Sequence, residues 1–449
     1  MKNISAYIPY YKRNLKVAIP IVLTQLGGGL VQLADNIMVG HLGAVDLAAV
    51  AFANSIFVIG FVFAMGVTMG ITPLVGQAFV QKNHTRVASL LHNGMLFCLL
   101  MGIALTLILG SCYFFIDAMG QEPRVAALSK PYYLALVGSL LPFMLFCVCK
   151  QFLEGLGNTK VAMLITIIAN VLNIVLNYLF IFGKFGFPQL GAFGAGVATL
   201  IARLLMPVMF FTVILRHEEW SRYFKGFSWH TLSKSGVVTV AKVGIPIGGH
   251  MLLECSAWAL LAIIVGWLGA VPLAANQIAN NVANISFMMV VGVSAATTIR
   301  VSHQLGVRDF PALRMAAQAS VHLCLFLNAL MAVLMIVFRY QIPWIFTTDK
   351  EVIEITAQLL VLAGLFQLSD GMQSVGAGIL RGLTDVKKPV LYAFVTYICI
   401  NIPLGYILAF PCGMGVAGVW VAFIISLTLA AVLYHRRCAF KIKQLEKQG

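Results

Sequence analysis

Three carboxylates stand where carboxylates are costly. Of the fifteen acidic residues in this 449-residue chain, nearly all fall in polar connectors or at the ends of apolar runs, whereas Asp35, Glu254 and Asp370 lie inside such runs. A carboxylate near the centre of a membrane helix costs about 2.5–3.5 kcal/mol on insertion scales. Each of the three therefore calls for water, a bound cation or a proton, and cation binding is the chemistry they offer. For Asp35 a second reading stands beside it, a carboxylate at the outer water interface.

Neutral polar residues supply neighbours at helical spacing. Asn170, Asn173 and Asn177 share one face of an otherwise apolar segment, and Gln367, Asp370 and Gln373 are one turn apart. A longer stripe runs through Asn276, Gln277, Asn280, Asn281 and Asn284. Such stripes serve either as hydrogen-bond glue between helices, worth about 0.6–2 kcal/mol per bond, or as the lining of a polar cavity. For the 276–284 stripe the two readings are balanced; for the asparagines before residue 178, coordination of a cation through amide oxygens is favoured. The candidate substrate-cavity residues are Gln32, Gln277, Asn280, Asn281, Asn284, Phe287 and Gln367. Phe287, Met288 and Met289 suit either a permissive pocket or lipid and packing contacts. Arg203, well inside an apolar run, either partners a carboxylate or snorkels towards the interface.

These residues need membrane helices to position them. The chain is 60% hydrophobic and only 10% charged, against about a quarter charged in an ordinary soluble domain. Dividing it at its apolar runs gives twelve spans, approximately 14–38, 47–73, 92–115, 127–152, 161–183, 193–215, 237–267, 274–299, 315–338, 352–380, 388–410 and 414–435. The expected fold is an all-α polytopic membrane protein. The first run shows no small-residue cleavage site followed by a soluble domain and reads as a permanent span. Nine cysteines are scattered without disulfide or zinc spacing.

The net charge of +15 is distributed by side. Lys and Arg crowd the N-terminus, the even-numbered connectors and the C-terminus, from Lys2, Lys12, Arg13 and Lys16 to Lys441, Lys443 and Lys447. The odd connectors carry Arg124, Lys130, Lys184, Arg339 and Lys350. An imbalance of roughly five to one places both termini in the cytoplasm by the positive-inside rule and removes any need for a nucleic-acid partner.

The chain also repeats itself. Sliding it by 226 positions lays "KVAIPI" at Lys16 over "KVGIPI" at Lys242 and "VGHLGAVDLAA" at Val39 over "VGWLGAVPLAA" at Val265. About two dozen of the 65 positions from Lys16 to Val80 match without a gap. A shorter echo pairs "EGLGNTK" at Glu154 with "RGLTDVK" at Arg381. Six spans separate equivalent positions, so the halves share one orientation. The expected organisation is an N-terminal lobe of six helices over residues 1–215, a basic cytoplasmic linker over 216–235 and a C-terminal lobe with a basic tail over 236–449. Two similar lobes with a cavity between them form a transporter architecture. Under the repeat Glu254 overlies Gly28, and Asp35 lies two turns beyond Gly28 on the same face, nearer the outer end of its span. That gives two distinct acidic sites, one per lobe.

No G-x-x-x-x-G-K-[ST] loop, H-E-x-x-H or G-x-S-x-G appears, so the sequence offers no such route to ATP hydrolysis, proteolysis or esterase chemistry, and an ion gradient is the expected energy source. A lipid-linked oligosaccharide flippase is the nearest rival, but a pyrophosphate head group calls for several cavity-facing cations and Arg203 stands alone. A membrane enzyme is the rival from another class.

At this point the strings "AIPIVLTQLGGGLVQLADNIMVGHLG", "PLVGQA", "EGLGNTK", "NVLNIVLNY", "GFPQLGAFGAGVAT" and "LRGLTD", in this order and spacing, resemble the multidrug and toxic-compound extrusion (MATE) family, in particular its bacterial NorM-like branch. The resemblance runs across essentially all twelve spans. It implies two pseudo-symmetric six-helix lobes forming a V-shaped central cavity, a multi-pass protein of the bacterial inner membrane. It also implies export of small organic, often cationic, compounds in exchange for Na⁺ or H⁺, with no cofactor and a monomer sufficient. By the same resemblance Asp35 matches the first-helix carboxylate, with Asn173, Asn177 and Thr199 as companions, and Glu254 and Asp370 match the C-lobe cation-binding pair. Na⁺ at Asp35, or at Glu254 and Asp370, is the metal it allows. Two departures stand out: Phe366 occupies the place of an expected tyrosine, and Asn177 stands where archaeal relatives carry a second aspartate.

Overall fold

The computed structural model describes residues 4–225 and 231–448, and within them every regular element is helical. Lys2 and residues 226–230 of the expected linker lie outside the described residues. Among the described residues, twelve helices are long and apolar enough to cross a membrane. They are α1 (Ser5–Gly40), α2 (Ala44–Val80), α3 (His84–Met119), α4 (Pro123–Gly155), α5 (Lys160–Phe182), α6 (Ala192–Arg216), α7 (Lys234–Gly266), α8 (Ala270–Gly306), α9 (Phe310–Val337), α10 (Lys350–Gly382), α11 (Lys387–Ala409) and α12 (Gly415–Gln448). A chain of this composition satisfies its backbone in hydrocarbon only through such internal hydrogen bonding. Each expected span has its helix, and several helices run beyond their apolar stretch, as α2 does through a tight turn at Met69 and Gly70.

The internal repeat is written in the backbone. Helices α1 and α7 end on the paired glycines Gly40 and Gly266, and α2 and α8 begin at Ala44 and Ala270 behind Gly43 and Gly269, both at positive φ. Lys82 and Arg308 adopt the left-handed conformation at φ 55° and 58°. The next residues then cap α3 and α9: Asn83 Oδ1 accepts from the Arg86 amide and Asp309 Oδ1 from the Ala312 amide, each at 2.9 Å. Even the close packing repeats. Gly155 on α4 lies so near Thr72 and Val75 of α2 that an added Cβ would sit 3.0 Å from the Thr72 carbonyl oxygen; Gly382 on α10 repeats this against Thr298 and Val301 of α8, at 2.9 Å from the Thr298 carbonyl.

The chain divides into two compact units. One comprises Met1–Val22 and Gly249–Gly449, the other Leu23–Gly248. The divisions fall inside α1 and α7, two residues after Pro20 and Pro246, equivalent helix-interior prolines that remove one backbone hydrogen bond each. Compared with a division at the 216–235 linker, the first turns of α1 and α7 change sides. In the unit comprising Met1–Val22 and Gly249–Gly449, Trp258, Phe366, Trp420 and Phe423 form an aromatic core, with Trp258 stacked on Phe423 at 4.1 Å and Phe366 edge-on to Trp420 at 5.5 Å.

Candidate functional site

In the unit comprising Leu23–Gly248, three helices bring a polar cluster together inside apolar segments. Asp35 projects from α1, five residues before its end at Gly40. Asn173 and Asn177 on α5 are one turn apart, and Thr199 is on α6. Asn177 Nδ2 donates to Asp35 Oδ1 and also to Asn173 Oδ1 at 3.1 Å, and Asn173 Nδ2 donates to Thr199 Oγ1 at 3.4 Å. All four residues expected at this site form one chain of hydrogen bonds. Asn177 Oδ1 is buried and unpaired, leaving an acceptor beside the carboxylate. Asn170, the third asparagine of the face, lies against α1, where a Cβ on Gly27 would be 3.2 Å from its Nδ2.

Arg203, one turn beyond Thr199 on α6, faces the same cluster. Its Nη1 donates to Ser139 Oγ on α4 at 2.8 Å, and its guanidinium lies over the rings of Phe57, Phe61 and Phe143 at 5.6, 4.8 and 5.1 Å. It interacts electrostatically with Asp35. The guanidinium is thus held by Ser139 and three phenyl rings. Tyr132 completes the surroundings, its hydroxyl accepting from Asn54 Nδ2 at 3.2 Å.

In the other unit Glu254 on α7 and Asp370 on α10 act on each other electrostatically. Asp370 is 2% exposed, and its Oδ2 has no hydrogen-bond partner among the described residues. Arg381, at the end of α10, acts on Glu254 and donates through Nη2 to Ser294 Oγ at 2.7 Å. One turn before Glu254, His250 meets the Tyr434 hydroxyl through Nε2 at 2.9 Å. Phe366 belongs to the aromatic core, among Trp258, Trp420 and Phe423.

The 276–284 stripe separates into two faces. Asn276 is buried and accepts from Trp420 Nε1 at 3.0 Å, tying α8 to α12, whereas Gln277, Asn281 and Asn284, at i, i+4 and i+7, are exposed on one side of α8. Asn280 lies between with a buried, unpaired Oδ1, and Phe287 is half-buried. Gln32 is exposed on α1. Gln367 sits differently from the others expected to line a cavity: it is fully buried, donates through Nε2 to the Ala283 carbonyl at 3.2 Å and accepts at its own carbonyl from Asn328 at 2.6 Å. The bond to Ala283 ties α10 to α8, while Gln367 Oε1 is buried without a hydrogen-bond partner among the described residues.

The MatE family model matches residues 20–179 and 246–407, one stretch in each half of the repeat. The chain belongs to the MatE family. It is 32% identical to the multidrug resistance protein NorM of Photobacterium profundum, covering 95% of this chain and 94% of that one. It is also 32% identical to the multidrug resistance protein MdtK of Yersinia pseudotuberculosis, over 98% and 97%. Among solved structures, a crystal structure of MATE in the straight conformation superposes with a TM-score of 0.89 at 20% identity, covering 98% of this chain and 97% of that one. Several polar residues around the MatE carboxylates escaped the sequence reading. Ser139, Tyr132, Tyr397 and Tyr434 belong to helices whose apolar runs conceal single polar positions. Arg381 stands at the end of its span, where a basic residue reads as a topology charge. His250 had a legible signal, its place one turn from Glu254.

Proposed function

We propose that this multi-pass membrane protein is a secondary active multidrug efflux transporter, exchanging Na⁺ or H⁺ for small organic compounds, often cationic, by alternating access. The observation that carries this reading is the Asp35 carboxylate held by Asn177 within apolar helices, matched in kind by Glu254 and Asp370 in the other unit. A carboxylate in such a place is a binding group for a cation or a proton. Asp35, Asn173, Asn177 and Thr199 form one coupling site, and Glu254 and Asp370 the other. Neutralising either lowers the cost of one conformation relative to its alternative, and only such a difference can drive a change of state. Gln32, Gln277, Asn280, Asn281, Asn284 and Phe287 are proposed to meet the transported compound. The relatives' names as multidrug resistance proteins support this substrate class and speak for a transporter rather than an enzyme.

The flippase reading is weakened by Arg203. A head group bearing pyrophosphate needs free cationic side chains, and this guanidinium is committed to Ser139 and three phenyl rings.

The asymmetry of basic residues supports placement in the inner membrane with both termini in the cytoplasm. Cys412, exposed in the connector between α11 and α12, then faces outward, and a membrane-impermeant maleimide added to intact spheroplasts should label it. Labelling only after lysis would reverse the orientation. One chain holds both units, so a monomer suffices.

The test of function is efflux of ethidium from loaded vesicles with a Na⁺ gradient, a pH gradient or neither. Efflux that starts with one gradient and vanishes in Asp35→Asn supports cation-coupled export and names the ion. No efflux under any condition, with folded protein present, overturns it.

A further inference from the structure

In the unit comprising Met1–Val22 and Gly249–Gly449, the packing of α1 on α8 brings two arginines together. Val22 on α1 meets Gly292 on α8, where an added Cβ would sit 2.4 Å from Val22 Cγ2. Val17, Ala18 and Ile21 share one apolar cluster with Val293, Ala296 and Ile299. Arg13 is nine residues before Val22 and Arg300 eight after Gly292. These steps are about 13 and 12 Å along two antiparallel helices, so both arginines stand at one level. Arg13 acts on Arg300 electrostatically, and Tyr10 is the other such neighbour.

Arg300 has no counter-charge. Its Nε and Nη2 are buried without a hydrogen-bond partner, and it forms no ion pair among the described residues. Other arginines of the unit are paired, Arg314 with Glu446 and Arg437 with Asp385, each at 2.6 Å. A buried charged donor without an acceptor keeps its full desolvation cost, and a second arginine beside it adds repulsion. The turn of α1 that carries Arg13 is also pinned: Asn14 is buried and donates through Nδ2 to the Ala316 carbonyl at 3.1 Å and to Ser320 Oγ at 2.9 Å on α9.

The scaffold itself does not require this pair. At the shift of 226 positions Arg13 corresponds to Thr239 and Arg300 to Leu74, a buried apolar residue of α2. The equivalent contact of α7 on α2 is as close without any charge, since a Cβ on Gly244 would sit 2.4 Å from the Val67 carbonyl oxygen.

Position and donor geometry define what fits. Arg13 immediately precedes the apolar run 14–38 and Arg300 immediately follows the run 274–299, so both stand where hydrocarbon gives way to head groups. Arg13 is exposed and Arg300 partly so, which leaves the pair open to the surface. Nε and Nη2 form one edge of a guanidinium, a fork that takes two oxygens of one phosphate, and turning the Arg300 side chain presents it. Basic pockets between membrane helices bind anionic head groups in this way.

We propose that Arg13 and Arg300 form a binding site for an anionic phosphate group, that of a phospholipid head group or free phosphate, where α1 crosses the end of α8. The site lies outside both coupling sites and does not rest on the transport reading.

The test is thermal unfolding of the purified full-length protein in a neutral detergent, with phosphatidylglycerol, phosphatidylcholine or inorganic phosphate added at constant pH and ionic strength. A ligand that binds the folded state raises its melting temperature with concentration. Wild type should melt higher as phosphatidylglycerol rises and respond less to phosphatidylcholine. Arg300→Leu should fold, since the repeat holds Leu74 at that place, and should need roughly tenfold more phosphatidylglycerol for the same rise. Arg13→Thr should need severalfold more and serves if the first variant does not fold. Lys443→Gln, which removes one exposed charge from the tail, should respond as wild type does. An equal rise with inorganic phosphate, weakened in the same variants, supports the site with free phosphate as its occupant, whereas a rise with the lipid alone supports the head group. No rise in wild type with either, or arginine variants that respond as wild type does, overturns the proposal.

Discussion

Asn177 spans from α5 to the Asp35 carboxylate on α1 with its amide nitrogen, while its amide oxygen stays buried and unpaired beside it. One side chain thus both holds the carboxylate and presents a neutral acceptor next to it. Asn173 fixes this orientation, because its Oδ1 takes the same amide at 3.1 Å and its own nitrogen is turned towards Thr199. Asp35→Asn should therefore fold normally, since an amide oxygen can take the place of the accepting carboxylate oxygen. It should nevertheless reduce cation-driven ethidium efflux at least tenfold. Retained efflux at equal expression would remove Asp35 from the coupling site.

Arg203 supplies a positive charge that acts on that carboxylate through space and is held by Ser139 and three phenyl rings. Cation–π contacts contribute about 0.5–2 kcal/mol each and a charged hydrogen bond about 1.5–3 kcal/mol, so Arg203→Met should lower the melting temperature clearly. It should also leave Asp35 without its resident counter-charge, and the coupling-ion concentration for half-maximal efflux should then fall. Ser139→Ala removes one hydrogen bond and should show a smaller effect of the same sign in both measurements. An unchanged melting temperature in Arg203→Met would show that the ring cage does not stabilise the folded state.

The sequence carried the architecture because membrane helices announce themselves by length and the repeat by gapless identity. It carried Asp35, Glu254 and Asp370 because a charge in an apolar run is conspicuous. What it hid was pairing. Asn276 and Gln277 are adjacent, yet one is bonded to Trp420 and the other exposed, a difference set by which neighbour packs on each face of α8. Gln367 resembles a lining residue by spacing but is fully buried, with its Nε2 bonded to the Ala283 carbonyl. Tyr397 sits in a run that reads as ordinary α-helix, and the π-helical turn that re-aims it depends on backbone winding that periodicity of 3.6 does not reveal.

That contrast on α8 can be measured. Asn276→Leu removes the acceptor for Trp420 Nε1 and should destabilise the protein by about 0.6–1.7 kcal/mol, the range for interhelical hydrogen bonds in membranes. Gln277→Ala and Asn281→Ala should leave the melting temperature unchanged while altering the relative efflux of different organic cations. Identical substrate profiles for wild type and both alanine variants would remove the exposed stripe from the substrate path.

The paired glycines test whether the repeat is energetic as well as geometric. A Cβ on Gly155 would sit 2.9 Å from Val75 Cβ and 3.0 Å from the Thr72 carbonyl oxygen, and one on Gly382 would sit 2.7 Å from Val301 Cβ and 2.9 Å from the Thr298 carbonyl oxygen. Neither obstacle is a flexible chain end, so α4 and α10 would have to move away from α2 and α8. Gly155→Ala and Gly382→Ala should each cost about 1–3 kcal/mol, typical of overpacking, and lower the melting temperature by similar amounts. Gly28 is the control. A Cβ there meets nothing within 4 Å, and alanine is favoured over glycine inside a helix by about 1 kcal/mol, so Gly28→Ala should hold or raise the melting temperature. A loss confined to one of the paired glycines would show that the two contacts, alike in geometry, do not bear equal weight in the fold.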